Sequence, residues 1–149
     1  MTDTPFAIDI RVYYEDTDFS GIVYHANYLK FFERGRTDAL RACGLTHTEL
    51  LARDEPLAFS VRSMTIDWRS PARIDDLLRV ETRFVSAAGA RMRLRQEILK
   101  DGAVLAGAEV EAACMGLTGR PRRLPADIRA LLAPHLAPHA EPNQAGGTA

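Results

Sequence analysis

The chain has 149 residues, of which 46% are hydrophobic and 26% are charged, a balance typical of an ordinary globular domain and not of a disordered or fibrous chain. Its formal net charge of −1 argues against a protein built mainly around nucleic acid, which needs an excess of basic residues. No apolar stretch is long enough to span a membrane, and the first residues lack the apolar segment of a secretory signal. Cys43 and Cys114 lie far apart at apolar positions and predict buried, reduced thiols. We therefore expect one cytoplasmic domain.

The first part of the chain changes from a strand pattern to a helix pattern. Residues 8–14 alternate with period two, which predicts a half-buried strand with Tyr14 on its inner face. A polar loop follows. Apolar residues then recur at the spacing of one helix face, which predicts a helix over residues 27–43 that ends at Gly44. The residues of that face are Tyr28, Phe31, Phe32, Gly35 and Ala39.

The second part of the chain predicts a short helix and then a row of strands. Thr46 and Glu49 have the spacing of a capping box and predict a helix over residues 46–53. Alternating residues predict four strands, with a bulge near residues 62–63 in the first of them. The four runs are 57–68, 78–84, 92–98 and 104–117, and residues 100–102 are typical of a hairpin turn between the last two.

This order of elements predicts an α+β fold, in which one antiparallel sheet wraps around one long helix. We assign residues 1–132 to this domain and residues 133–149, which are rich in proline, alanine and glycine, to a disordered tail. His135 and His139 have a spacing that could bind a metal on a helix, but prolines interrupt it, so we predict no metal site there. A second copy of the protein is a natural cover for the free face of the sheet.

The densest set of reactive side chains lies between the first strand and the long helix. Residues 14–28 contain three carboxylates and a histidine, and loops at the ends of rigid elements are where sites are usually built. A helix that begins near His25 offers backbone N–H groups that polarise a carbonyl oxygen. Asp18 could then attack that carbonyl or activate a water molecule. The alternatives from spacing alone are that Asp16 and Asp18 only cap turns, or that they begin a calcium loop. A calcium loop that begins at Asp16 needs a glutamate at its twelfth position, and that position is Asn27 in this sequence.

The runs Val12–Asp18 and Gly21–Tyr28 resemble the signature of the 4-hydroxybenzoyl-CoA thioesterase family. Within it the sequence is most similar to the YbgC-like acyl-CoA thioesterases associated with the Tol–Pal genes. Residues 32–37 and 71–76 extend the resemblance, which covers about residues 8–126. It implies the hot-dog fold and a homodimer that often doubles to a homotetramer, with active sites at the dimer interface. It implies acyl-CoA as the substrate and no metal or redox cofactor.

The resemblance also implies roles for individual residues. Asp18 matches the catalytic carboxylate of the family, and His25 matches the position whose backbone N–H polarises the thioester carbonyl. Tyr14 is a supporting residue at the edge of the pocket. Three other carboxylates compete with Asp18. Of these, Glu15 and Asp16 lie in the same loop, where we interpret Asp16 as a turn cap, and Glu33 lies on the helix, where we interpret it as an exposed or interface charge.

Binding residues follow from the same resemblance and from the chemistry of coenzyme A. Tyr24 and Phe59 are expected to line the acyl pocket, together with residues of a partner chain. Arg91 and Arg93 are candidates for the phosphates of coenzyme A, although they also fit a solvated strand face. The turn before them carries alanines where family members often carry basic residues. This difference leaves open whether the acyl group arrives on coenzyme A or on acyl carrier protein.

Two other functions compete with thioester hydrolysis. One is a non-catalytic adaptor of acyl carrier protein or of the Tol–Pal envelope complex, with the same fold. The other is a hot-dog dehydratase, for which the long helix lacks a second pair of a carboxylate and a histidine. The sequence leaves the acyl chain open.

Overall fold

A computed structural model describes residues 4–136 of the chain. It contains one five-stranded sheet with the strand order β1-β3-β4-β5-β2, and all four strand pairs are antiparallel. The elements are β1 (Phe6–Arg11), α1 (Asn27–Ala42), α2 (His47–Leu51), β2 (Leu57–Trp68), β3 (Leu77–Ala88), β4 (Arg91–Lys100), β5 (Ala103–Gly116) and α3 (Ala126–Leu132), with 3-10 turns at Tyr14–Asp16 and Ala133–His135. The predicted α+β architecture is confirmed.

The long helix α1 lies across β1, β3 and β4 and fills the inner side of the sheet. Its predicted apolar face is buried, including Phe32, which has no exposed surface. The approach is closest at Gly35, because a Cβ atom built there lies only 2.8 Å from Cγ1 of Val80. Beside it, the buried Gln96 amide donates 2.9 Å hydrogen bonds to the Phe32 carbonyl and to the Thr82 hydroxyl. Close packing and these two bonds fix α1 on the sheet.

The outer side of the sheet is covered by charged side chains. Arg91, Arg93 and Arg95 are exposed on one face of β4. Arg91 forms a 2.9 Å ion pair with Glu111, and Arg95 lies 3.9 Å from Glu109 on the neighbouring strand. Because this side is charged, it needs no apolar cover.

Open apolar surface lies instead along β2, which is an edge strand of the sheet. Val61 and Trp68 each expose 45% of their surface. The pairing of β2 with β5 shifts between Val61 and Ser63, which confirms the predicted bulge. An unpaired edge with partly exposed apolar side chains is a surface on which another strand can pair.

The structure also contains the helix end and the hairpin turn that local sequence patterns predict. Gly44 follows α1 with φ of 92°, and Asp101 and Gly102 form the β4–β5 turn with φ of 49° and 81°. The hydroxyl of Thr46 accepts a 3.1 Å hydrogen bond from the Glu49 N–H at the start of α2. The Glu49 carboxylate instead binds Arg53, so only one half of the predicted capping box forms.

Two boundaries differ from the sequence prediction. The first strand ends at Arg11, and Tyr14 begins a 3-10 turn instead of facing the core. At the other end, residues 133–135 form a 3-10 turn, and Leu136 makes a parallel bridge to Phe84. Residues 133–136 therefore contact the sheet, and the rest of the predicted tail, including His139, lies outside the described residues. Between residues 4 and 136 no helix is long and apolar enough to cross a membrane.

Candidate active site

The loop between β1 and α1 folds into a tight hairpin around Asp18. The backbone N–H of Asp18 donates a 2.8 Å hydrogen bond to the Ile22 carbonyl, and Thr17 and Val23 form an antiparallel bridge. Gly21 has φ of +81°, a conformation that side chains other than glycine rarely adopt. Glycine at this position therefore lets the loop turn back on itself and present Asp18.

One oxygen of Asp18 is held by the neighbouring serine. Oδ1 accepts a 2.8 Å hydrogen bond from the Ser20 N–H and a 2.5 Å hydrogen bond from the Ser20 hydroxyl. These bonds, with the hydroxyl contributing most, lower the pKa of Asp18 below its ordinary value. Within residues 4–136 the other oxygen, Oδ2, makes no hydrogen bond. Asp18 is thus an ionised carboxylate with a fixed orientation and one oxygen available for chemistry.

Asp16 joins this loop to the start of the helix. Its carboxylate accepts a 2.8 Å hydrogen bond from the Tyr13 N–H, which confirms the interpretation as a turn cap. Its backbone carbonyl accepts bonds of 3.0 Å from the Tyr24 N–H and 2.9 Å from the Asn27 side chain. Two residues of chain span about 7 Å at most, so Asp18 lies close to the turn that begins α1.

The turn before α1 carries the backbone donor that the sequence predicts. Helix α1 begins at Asn27, and the Asn27 N–H is already bonded to the Tyr24 carbonyl. In the described part of the chain the N–H of His25 has no hydrogen-bond partner. His25 lies directly before the N-cap residue Ala26, so its N–H is not one of the free N–H groups of the helix itself but lies next to their partial positive charge. His25 therefore offers a donor suited to a carbonyl oxygen or an oxyanion.

The turn after β2 clamps both the loop and the helix. The Ala72 N–H donates a 2.9 Å hydrogen bond to the Tyr28 hydroxyl, and the Ala72 carbonyl accepts a 2.9 Å bond from the Val23 N–H. Ile22 and Arg73 form a further bridge. The turn is formed by residues 71–76, one of the segments that extend the resemblance. These contacts give the segment a structural role, because they hold both the loop and the helix in place.

The other predicted site residues are divided between the two ends of the sheet. Tyr24 is 48% exposed next to His25, and Tyr14 is 84% exposed on its 3-10 turn. Phe59 lies nine residues before Trp68 on β2, a separation of up to about 30 Å along a strand. Arg91 and Arg93 pair with β5 near the same end as Phe59. Within one chain, Phe59 and the two arginines are therefore far from Asp18.

Three residues of the site were missed from sequence. Ser20 holds Asp18, Asn27 holds the Asp16 carbonyl, and the Trp68 ring lies 5.9 Å from the His25 ring. A serine two residues after an aspartate is typical of a local turn, and this signal could have identified Ser20. Trp68 is brought in by the sheet, so no local pattern indicates it. Glu33 is exposed on α1, in agreement with its interpretation as a surface charge.

The Asp18–Ser20 pair leads to a prediction about pH dependence. A lowered pKa keeps Asp18 ionised down to lower pH, so any activity that needs this carboxylate should have the acidic limb of its pH profile below pH 3.8, the ordinary aspartate value. Replacing Ser20 with alanine removes the hydroxyl donor, so we expect the limb to move to higher pH. The measurement is a pH profile of both proteins, with circular dichroism at each pH as the control for acid unfolding. An unchanged limb in Ser20→Ala would contradict the assignment of that limb to Asp18.

A five-stranded antiparallel sheet packed around one long helix is the arrangement of the hot-dog fold. The model of the Thioesterase-like superfamily matches residues 12–132. The chain belongs to this superfamily. The family and the fold expected from the sequence motifs are thereby confirmed.

Individual relatives agree with this family. The chain is 42% identical over 131 residues to the acyl-CoA thioesterase YbgC of Haemophilus influenzae, with 87% of this chain and 96% of the relative covered. It is 42% identical over 130 residues to the acyl-CoA thioester hydrolase YbgC of Escherichia coli, covering 86% of this chain and 96% of the relative. Among solved structures, a probable thioesterase from Bartonella henselae is 48% identical, with a TM-score of 0.78 and coverage of 80% of this chain and 98% of that one.

Proposed function

We propose that this protein hydrolyses the thioester of an acyl-CoA, using the Asp18 carboxylate and the backbone N–H of His25. The observation that carries the proposal is that the clamped loop before α1 holds two groups with no hydrogen-bond partner among residues 4–136, Oδ2 of Asp18 and the His25 N–H. The substrate class is supported by the relatives of 42% identity, which are named acyl-CoA thioesterase and acyl-CoA thioester hydrolase.

In the proposed reaction, the His25 N–H donates a hydrogen bond to the thioester carbonyl oxygen and stabilises the oxyanion that forms there. As a general base, Oδ2 of Asp18 takes a proton from a water molecule while the water oxygen bonds to the carbonyl carbon. The oxyanion then collapses, the C–S bond breaks, and the proton passes to the leaving thiolate. As a nucleophile, Oδ2 instead bonds to the carbonyl carbon, the C–S bond breaks, and the coenzyme A thiolate leaves and takes a proton from solvent. Water then hydrolyses the acyl anhydride, which releases the acyl group as a carboxylic acid and restores Asp18. Both routes need an ionised Asp18.

The proposed assembly is a homodimer, or a homotetramer built from two dimers, joined along β2. Asp18 and His25 lie beside one end of β2, whereas Phe59 and Arg91 lie near the other end. Antiparallel pairing of two β2 strands about a two-fold axis places the Phe59 end of one chain beside the Asp18 end of the other. The exposed apolar residues Val61 and Trp68 of this strand support such pairing.

Coenzyme A phosphates are proposed to bind Arg91 and Arg93. The segment after β5 runs beside the β3–β4 turn, since the Leu124 N–H donates a 2.8 Å bond to the Gly89 carbonyl. This contact brings further arginines of that segment, Arg120 and Arg123, toward the same end of the sheet. Arg91 is paired with Glu111, whereas Arg93 has no ion pair within residues 4–136.

A phosphate role for Arg93 has a measurable consequence. We expect Arg93→Ala to raise KM for an acyl-CoA about 3- to 10-fold with little change in kcat, because the lost contact is the same in ground and transition states. An acyl thioester of N-acetylcysteamine, which lacks the nucleotide, should show no change. Arg79→Ala, at the opposite end of the outer face, is the matched control. An unchanged KM for acyl-CoA would leave Arg93 as part of a solvated strand face.

The carrier of the acyl group is tested by offering the same acyl chain on coenzyme A and on acyl carrier protein. We propose a cytoplasmic enzyme that releases thiol from the acyl-CoA. Stable binding of acyl carrier protein or of Tol–Pal components without any thiol release would instead identify an adaptor.

A further inference from the structure

The aromatic side chains beside the site form a small cluster around His25. The His25 ring lies 4.5 Å from the Tyr24 ring at an interplanar angle of 53°, and 5.9 Å from the Trp68 ring at 87°. The second geometry is an edge-to-face contact, one of the arrangements that aromatic pairs prefer. His25 is thus held between a neighbour in its own turn and the last residue of β2.

Trp68 is anchored independently of this contact. Its backbone pairs with Ala106 on β5, and the next two N–H groups, of Arg69 and Ser70, donate to the Leu105 carbonyl at 2.8 and 3.1 Å. Trp68 itself remains 45% exposed and is not one of the residues of the buried core. Among residues 4–136 its aromatic ring contact is with His25.

The His25 N–H can act on a carbonyl only if the turn at residues 24–26 keeps one backbone conformation. Hydrogen bonds hold Tyr24 and Asn27 on either side, but among the described residues none holds His25 itself. Because side-chain rotamers and backbone angles depend on each other, fixing the imidazole also restricts the peptide that carries this N–H. An edge-to-face pair contributes about 0.5–1.5 kcal/mol, enough to favour one rotamer.

We propose that Trp68 is a positioning residue of this hydrolytic site, which acts through the His25 ring to hold the His25 N–H toward the thioester carbonyl. The inference rests on the proposed function, since it concerns the same N–H. It adds the end of the edge strand β2 to the site, 43 residues away from His25 along the chain.

The test compares Trp68→Ala with Trp68→Phe, which keeps an aromatic ring. We expect Trp68→Ala to lower kcat about 10-fold with KM nearly unchanged, because the oriented N–H matters most when the oxyanion forms. Trp68→Phe should recover most of the loss. The matched control is Leu131→Ala, since Leu131 is similarly exposed, at 40%, on α3, which packs on β3 and not on β2, and its loss should change kcat by less than about 2-fold.

Fluorescence gives a readout that a merely structural role would not move. Trp68 is the only tryptophan of the chain, so its emission reports the surroundings of this indole. His25→Gln removes the imidazole from the indole and should change the emission spectrum at a fixed pH, whereas Glu15→Gln in the same loop should leave the spectrum unchanged.

Failure of the proposed function and failure of the inference about Trp68 give different experimental results. If the wild type releases no thiol from acyl-CoA, the proposed function fails and this inference falls with it. If the wild type is active, three results overturn the inference alone: equal kcat values for Trp68→Ala and Leu131→Ala, a rise in KM without a fall in kcat, or a Trp68 emission spectrum that His25→Gln leaves unchanged.

Discussion

Replacing Asp18 with asparagine is expected to lower kcat/KM for acyl-CoA hydrolysis about 1000-fold, a barrier increase of about 4 kcal/mol. Asparagine has nearly the same shape, and its Oδ1 can still accept the hydrogen bonds from Ser20. The loop should therefore keep its conformation while the carboxylate is lost. Steady-state kinetics of thiol release measure the effect, with the thiol reagent blanked against Cys43 and Cys114.

The matched control for this substitution is Glu15→Gln, which removes an exposed carboxylate three residues away in the same loop. We expect less than a 3-fold effect, because Glu15 makes no side-chain hydrogen bond within residues 4–136. Near-full activity in folded Asp18→Asn, or a large loss in Glu15→Gln, would assign the catalytic carboxylate to another residue.

The second large effect is expected at the contact between α1 and the sheet. An alanine at position 35 places its Cβ 2.8 Å from Val80, 3.0 Å from the Gln96 amide nitrogen and 3.1 Å from the Thr82 hydroxyl. Alanine gains about 1 kcal/mol of helix propensity over glycine, but overpacking a core typically costs about 1–3 kcal/mol, and three contacts this close place the cost at about 2–3 kcal/mol. We expect Gly35→Ala to be less stable by about 1–2 kcal/mol, with a Tm lower by about 3–8 °C.

Because α1 carries the His25 turn at its start, a helix displaced by this methyl group should also lower kcat. Gly107→Ala is the control, since a Cβ there meets only the Gln96 carbonyl oxygen, at an ordinary 3.9 Å. Thermal unfolding of both variants gives the comparison. A Gly35→Ala protein as stable and active as the wild type would show that the helix does not need this close approach.

Periodicity was sufficient to predict α1 and the strands because their apolar residues face one core. The stripe from Tyr28 to Ala39 is buried as predicted, and the period-two residues of β4 are buried down to Ile98. The bulge in β2 and the Asp101–Gly102 turn were also predictable, since each results from a local change of pattern or a local turn preference. The loop at residues 14–28 was predictable as a candidate site from its carboxylates and from its resemblance to a family motif.

Other features depend on contacts that a local pattern does not contain. Tyr14 continued the alternation of β1, but the Asp16 carboxylate caps the Tyr13 N–H and turns the chain before Tyr14 can face inward. The separation of Phe59 from Asp18 follows from the register of β2 with β5, and Trp68 meets His25 through that same register. These positions are set by the sheet as a whole.

Hydrolysis of acyl-CoA thioesters by this chain is measured most directly as thiol release by the wild-type protein from short, long and aromatic acyl-CoAs. We expect turnover far above spontaneous hydrolysis on at least one of them, with a kcat/KM that identifies the preferred acyl chain. A folded protein that releases no thiol from any acyl-CoA would contradict this expectation.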